Sequence, residues 1–261
     1  MDKIEIVFFD IDWTLYDHKN HRWAPNAVSF INQLKAQGVR CVICTARPYH
    51  SMKMLGVFDL GIDWDAYIAS SGAIAFVDGK YLKKDLMDPK DVYKAVEFLK
   101  EHGETGEIVE PMTRFLVAPQ TESSKKYYQV FFESLVDVQE YRGEEATGLN
   151  IFIPKHLDQE LQGKFGHLCL FRYFETAVDL MPIAHIKGAA IPLILDYYGI
   201  KKENAMAIGD DDIDISMKEA VGHFVAMGNA KENVQKEAEF VCGKVWGKGI
   251  TTLVREYFLL D

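Results

Sequence analysis

Positive charge is scarce in this sequence. Its 29 lysines and arginines stand against 39 aspartates and glutamates, a net charge of −10 at pH 7. Such a chain has no basic field to draw a phosphate backbone, so no nucleic-acid partner is expected. Long apolar runs are lacking too. None reaches the roughly 18 residues that a membrane span requires, so no membrane association is expected. The opening MDKIEIVFFD meets acid too early for a secretory signal. The expectation is a soluble, cytoplasmic protein whose excess acid aids solubility, with a monomer an admissible state. Cysteine is sparse, at four residues. Only Cys41 and Cys44 stand close together, as CVIC, inside an apolar strand-like stretch where side chains three apart face opposite ways. No second pair accompanies them, so they read as core cysteines rather than zinc ligands. Repeats and low-complexity segments are absent. So are GxxxxGK[ST], GxSxG and HExxH, which removes any foothold for P-loop, serine-hydrolase or zincin chemistry.

What is present is core material: 48% of the 261 residues are hydrophobic. EIVFFDID, VRCVICTA and AYIASSG read as apolar strands. NAVSFINQLKAQG places Val28, Ile31 and Leu34 on one helical face and stops at Gly38. Apolar strands alternating with helices predict a parallel sheet. The middle of the chain differs. Helices are predicted over DPKDVYKAVEFLKEHG, SSKKYYQVFFESL and HLDQELQGKF, and strands over RFLVAP, LNIFIP, LCLFRYF and TAVDLMP. After Pro182 the α/β rhythm returns, ending in a helix over TTLVREYFL. The expected organisation is one α/β domain, residues 1–81 and 182–261, interrupted by an α+β insert over 82–181.

Three stretches end apolar strands in polar, reactive residues: DIDWT at 10–14, CTAR at 44–47 and IGDDDID at 208–214. Alone, each reads as a helix cap. Together they suggest one crevice, because parallel α/β sheets bind ligands beyond the carboxyl ends of their strands. Two like charges 4 Å apart repel by about 4 kcal/mol at an effective dielectric near 20. Clustered acids therefore call for a cation. All-oxygen donors without nearby His or Cys favour Mg²⁺, which commonly pairs carboxylates with phosphate oxygens. Asp10 and Asp12 project to the same side of an extended chain. A carboxylate with an ordinary pKa of about 3.9 is ionised at neutral pH and can attack phosphorus unaided. Its neighbour could serve as general acid and then base, a role that calls for a raised pKa.

These stretches resemble the ordered motifs of the haloacid dehalogenase (HAD) superfamily. DIDWTL resembles DxDxT, TAR is similar to the second motif TGR, HIKG to the lysine motif, and GDDDID to GDxxND. SSGAIAFVDGK resembles the NGA hairpin. VAMGNAKENVQKEAEFV resembles the C-terminal signature of Cof-type, subclass IIB phosphatases. The resemblance implies a HAD-like Rossmannoid parallel-sheet core with an inserted α+β cap domain of type C2B, closing over the core and choosing the leaving group. It implies Asp10 as nucleophile forming an aspartyl-phosphate and Asp12 as acid/base. Thr45 and Ala46 would bind the phosphoryl group, and Lys187 would balance its charge. Mg²⁺ would be held by Asp10, the Asp12 backbone carbonyl and Asp210, with Asp214 supporting the metal shell, largely through water. The implied substrates are small phosphorylated metabolites, sugar phosphates first.

The chain departs from the pattern at Trp13, Ala46 and Ile213, where relatives carry glycine, glycine and asparagine, and more mildly at Ser71. Trp13 reads as packing in its loop or under the cap, with substrate stacking as the rival. Arg47 reads equally as a surface residue or as one facing the insert. His18 and His21 read as solvent-facing loop histidines. Arg114, Arg172 and Tyr173 read as structural residues of the insert rather than substrate readers. Two other activities stay open at this point. One is a phosphomutase or phosphotransferase on the same fold. The other is a non-catalytic binder of phosphorylated ligands.

Overall fold

The computed structural model describes residues 3–131 and 136–255. The chain divides into two compact units. The first draws on the segments up to Arg47, Leu55–Lys83 and from Ile186 onward; the second comprises Pro48–Met54 and Lys84–His185. The second unit thus takes in Pro48–Met54, a segment well before the insert expected from the sequence.

In chain order the elements are β1 (Ile6–Phe9), a two-strand hairpin β2 (Tyr16–Asp17) and β3 (Arg22–Trp23), α1 (Ala27–Ala36) and β4 (Arg40–Cys44). Helix α2 (Tyr49–Met54) follows, then β5 (Ala66–Ala69), β6 (Ile74–Val77) and β7 (Lys80–Lys84). The second unit continues with α3 (Pro89–Glu101), β8 (Thr105–Val109), β9 (Arg114–Leu116) and α4 (Glu122–Phe131). It ends with β10 (Gly148–Phe152), α5 (Asp158–Phe165), β11 (Leu168–Phe174) and β12 (Ala177–Pro182). The first unit resumes with α6 (Ile191–Tyr198), β13 (Ala205–Gly209), α7 (Ile215–Lys218), β14 (His223–Ala226), α8 (Glu232–Glu237) and β15 (Phe240–Val241).

The first unit is built on an eight-stranded sheet in the order β15-β14-β13-β1-β4-β5-β6-β7. The pairs from β15 to β5 are parallel and β5–β6 is antiparallel. Ile6, Val7, Phe8 and Phe9 are all buried, as a central strand covered on both faces requires. Each such side chain contributes about 1.5–3 kcal/mol by leaving water. Phe9 pairs with Ile43 of β4 and with Ile208 of β13. That register sets the residues following β1, β4 and β13 side by side at the carboxyl edge. Cys41 and Cys44 are buried free thiols pushed up to about 12 by burial, as core cysteines are.

The second unit is a five-stranded sheet in the order β11-β12-β10-β8-β9. Helix α3 starts on Asp88, whose side chain accepts from the Lys90 N–H at 2.9 Å, with Pro89 in the first turn. Its Val92, Ala95, Phe98 and Leu99 join Leu161 and Phe165 of α5 against Ile108, Leu149, Ile151, Val178 and Leu180. Tyr127 and Tyr128 of α4 pack with Leu116, Phe152 and Ala177 in a second cluster. The helix expected over 123–135 is seen as far as Phe131; residues 132–135 lie outside the described residues. The helix expected at the C-terminus is seen only as a 3-10 stretch over Gly249–Arg255, and its remainder lies outside the described residues.

Candidate active site

At the carboxyl edge of β1, the Asp10 N–H still donates to Ile208 O at 3.0 Å, so the sheet fixes the backbone that carries its carboxylate. Lys187 sits in the 3-10 turn that leads into α6. Its Nζ donates to Asp10 Oδ1 and to Asp214 Oδ1, each at 2.5 Å. All three side chains are almost wholly buried. The other Asp214 oxygen accepts from the Asp210 and Asp211 N–H groups at 2.8 and 3.0 Å, and Asp211 and Asp214 cap each other reciprocally. Two glycines let the backbones come this close. A Cβ on Gly209 would lie 2.4 Å from Asp214 Cγ, and one on Gly188 would lie 2.1 Å from Ser216 O.

The electrostatics are those of too few cations. Burial works against the Lys187 ammonium, but Asp10 and Asp214 hold its pKa well above the usual lysine range. Burial raises the Asp10 carboxyl; Lys187 offsets this in part, while Asp214 and Asp12 add to it. Burial, reinforced by Asp10, Asp214 and Asp211, pushes Asp210 up to about 8. The Lys187 charge offsets this only in part, and Thr14 Oγ1 donates to Asp210 Oδ1 at 3.4 Å. Asp10, Asp210 and Asp214 offer oxygens within 4.8 Å of one another, the donor set of a hard divalent cation. Asp214 already serves Lys187 and two amides, so Asp10 and Asp210 are the carboxylates best placed to hold a metal directly.

Asp12 belongs to a different arrangement. Its carboxylate is absent from that oxygen cluster and is gripped by Arg47 and His18. Arg47 Nε donates to both oxygens, at 3.1 and 2.9 Å, and Nη2 to Oδ1 at 2.7 Å. His18 Nε2 meets Oδ1 at 2.5 Å. Burial acts to raise Asp12, but the His18 hydrogen bond and the Arg47 charge outweigh it and hold the carboxyl well below the usual range. The raised pKa expected for an acid/base role is therefore not found in this state. Two further readings are corrected. Arg47 and His18 are not idle surface residues: both hold the Asp12 carboxylate. Trp13, a candidate substrate contact, adopts φ 59°, the left-handed region that favours glycine. Its ring packs on His18 with centroids 5.3 Å apart.

The remaining predicted residues are placed as follows. Thr45 is buried; its N–H donates to Ile68 O at 2.9 Å and its Oγ1 accepts from the Arg47 N–H at 3.1 Å. Ala46 beside it is exposed. Ile213 is 46% exposed, so its apolar side chain does not fill the buried cluster. The MGNA stretch acts as a latch. Asn229 Nδ2 donates to Trp13 O at 2.8 Å, and its Oδ1 accepts from the Val245 N–H at 2.8 Å. Lys231 bridges Asp211 and Asp212 at 2.9 and 2.8 Å. Neither latch role is evident from the sequence, although the motif itself is visible there. In the second unit Arg114 pairs with buried Glu107 at 3.1 Å, Tyr173 donates to Asn150 at 2.7 Å, and Arg172 is bound to Asp158 and to backbone carbonyls. All three are thus hydrogen-bonded within the second unit.

A parallel-sheet core with clustered acids and a lysine at its carboxyl edge defines a phosphoryl-transfer class of protein. Residues 7–253 match the haloacid dehalogenase-like hydrolase family. The chain belongs to that family, and within it to the Cof-type phosphatases. The phosphoglycolate phosphatase of Methanobrevibacter smithii is 22% identical, over 98% of this chain and 99% of that protein. A solved hypothetical protein of Geobacillus kaustophilus superposes with a TM-score of 0.91 at 23% identity, over 98% of this chain and all of the other. The subclass IIB sugar phosphatase BT4131 superposes with a TM-score of 0.79 at 25% identity, over 98% of this chain and all of the other. No helix among the described residues is long and apolar enough to cross a membrane.

Proposed function

We propose that this phosphatase hydrolyses small phosphorylated metabolites, sugar phosphates first, by way of a phosphorylated Asp10. The observation that carries the reading is Lys187 Nζ set 2.5 Å from both Asp10 and Asp214, with Asp210 in the same oxygen cluster. An Asp10 oxygen attacks phosphorus and the bond to the leaving oxygen breaks. Protonated Asp12 supplies the proton that a basic leaving oxygen needs. Asp12, then ionised, takes a proton from water as that water attacks phosphorus and frees Asp10 and inorganic phosphate. The clamp of Arg47 and His18 favours the ionised form and so suits the second half best. Lys187 keeps Asp10 oriented and offsets charge at the transferring group. Thr45 and the backbone at Ala46 are assigned to the phosphoryl oxygens.

Mg²⁺ is the proposed cofactor, held by Asp10 and Asp210 with Asp214 behind them. When bound, it supplies charge neutralisation and orientation at the phosphoryl group. The second unit, most of which is inserted between β7 and α6, is assigned to substrate choice. Similarity to BT4131, a sugar phosphatase, supports that substrate class here. The test is a panel of phosphorylated metabolites assayed for phosphate release, with and without chelation of divalent cations. Release that stops on chelation and returns with Mg²⁺ supports the reading; no release from any phosphomonoester contradicts it.

A further inference from the structure

We propose that His18 is a positioning residue, which holds the Asp12 carboxylate for proton transfer, and that Trp13 holds His18. This rests on the acid/base assignment of Asp12. The Asp12 side chain is about one-third exposed, so the core does not lock it in place. Arg47 grips it from the end of β4. His18 Nε2 grips it at 2.5 Å from the β2–β3 hairpin. Two holds from separate elements fix a carboxylate that one hold would let pivot.

The hairpin is built to present that ring. It has only two paired positions, Tyr16 with Trp23 and Asp17 with Arg22. So short a hairpin is not stable by itself. Its bend is fixed by buried Asp17, whose carboxylate accepts from the Lys19 and Asn20 N–H groups at 3.0 and 3.3 Å. The His18 ring meets Trp13 at 5.3 Å and Tyr16 edge-on at 5.0 Å, and Tyr16 meets Trp23 edge-on at 5.2 Å. Ring pairs of this kind stabilise beyond the area they bury. A tryptophan in the left-handed region carries a steric strain that glycine would escape. Packing on His18 offsets that strain and gives the large side chain at position 13 a purpose. Asn229 ties down the same residue through its carbonyl.

The test compares three variants on a phosphomonoester that the wild type hydrolyses. His18→Phe keeps a ring between Trp13 and Tyr16 but deletes the donor. Its kcat should fall about 10- to 100-fold with KM within about twofold, as expected when a reacting group is misplaced while substrate binding is intact. His18→Gln places an amide nitrogen near the former Nε2 and should recover kcat to within about threefold of wild type. His21→Gln, in the same hairpin, should leave both constants unchanged. Thermal midpoints report whether each variant folds. Wild-type kcat in His18→Phe, or equal losses in His18→Phe and His18→Gln, would overturn the proposal. If the wild type hydrolyses no phosphomonoester, the phosphatase reading fails instead. The His18–Asp12 hydrogen bond is then judged by ¹⁵N shifts of the histidine rings. Asp12→Asn should move the His18 Nε2 signal and leave His21 in place; an unmoved His18 signal would overturn the hydrogen bond and the proposal with it.

Discussion

Asp10 and Asp12 stand two residues apart and live under opposite electrostatics. Around Asp10, two acids share one buried lysine, and the carboxyl is raised. Around Asp12, one partly exposed acid is shared by an arginine and a histidine, and the carboxyl is lowered. The Asp10 arrangement is deficient in positive charge and suited to a divalent cation. The Asp12 arrangement is already compensated. One residue type thus receives two electrostatic states from its surroundings, as the proposed division between a nucleophile and a proton carrier at one strand end requires.

The strongest way to sharpen this contrast is to remove the proposed nucleophile. Asp10→Asn should lower phosphate release by about 10³- to 10⁶-fold, the range found when a covalent nucleophile is removed. Next is the buried cation. Lys187→Met leaves Asp10 and Asp214 buried without their partner, and should cost about 3–5 kcal/mol in urea unfolding. An equally stable variant would break the claim that this arrangement lacks positive charge.

The pH dependence follows from the same imbalance. Asp210 is raised from 3.8 to about 8, so between those values the folded state binds a proton that the unfolded state has released. Its contribution to stability is complete below pH 3.8 and is lost as pH rises through about 8. The lowered Asp12 acts oppositely; its contribution is present above 3.8 and is lost in acid. Protein stripped of divalent cations should therefore lose stability from pH 5 toward pH 8 at this site. Mg²⁺ should raise the thermal midpoint more at pH 8 than at pH 5, where protons compete for the same oxygens. Asp210→Asn should shrink that difference to the part that Asp10 contributes. The smallest effect is expected at Trp13. Trp13→Gly relieves left-handed strain but removes the ring packing and adds glycine's unfolded-state entropy, for a net change within about 1 kcal/mol in urea unfolding.

The residues around Asp10 are legible in the sequence because they follow the end of an apolar strand or, for Lys187, precede a glycine. A charge in such a place needs a reason, and the ordered motifs supply one. The surroundings of Asp12 are not legible. His18 lies in a polar stretch where nothing in the spacing distinguishes it from His21, and its role comes from a hairpin that brings it back beside residue 12. Arg47 is open between two readings in the sequence, and the structure gives a third, the Asp12 carboxylate. The second unit shows the same limit. The strand Thr105–Val109 escapes a sequence reading because it carries glycine and glutamate, residues that strands disfavour. It pairs with β10 and β9, and its buried Glu107 is satisfied by Arg114 and Tyr128.

The most direct test of the contrast between the two acids is the ionisation of each carboxyl. Protein with ¹³C-labelled aspartate, stripped of divalent cations at pH 5.5, would be assigned with Asp10→Asn, Asp12→Asn and Asp210→Asn variants. The Asp12 carboxyl carbon should sit at its carboxylate shift, while those of Asp10 and Asp210 sit at protonated shifts and move on addition of Mg²⁺. Protonated Asp12, or Asp10 and Asp210 both ionised and unmoved by Mg²⁺, would contradict the account.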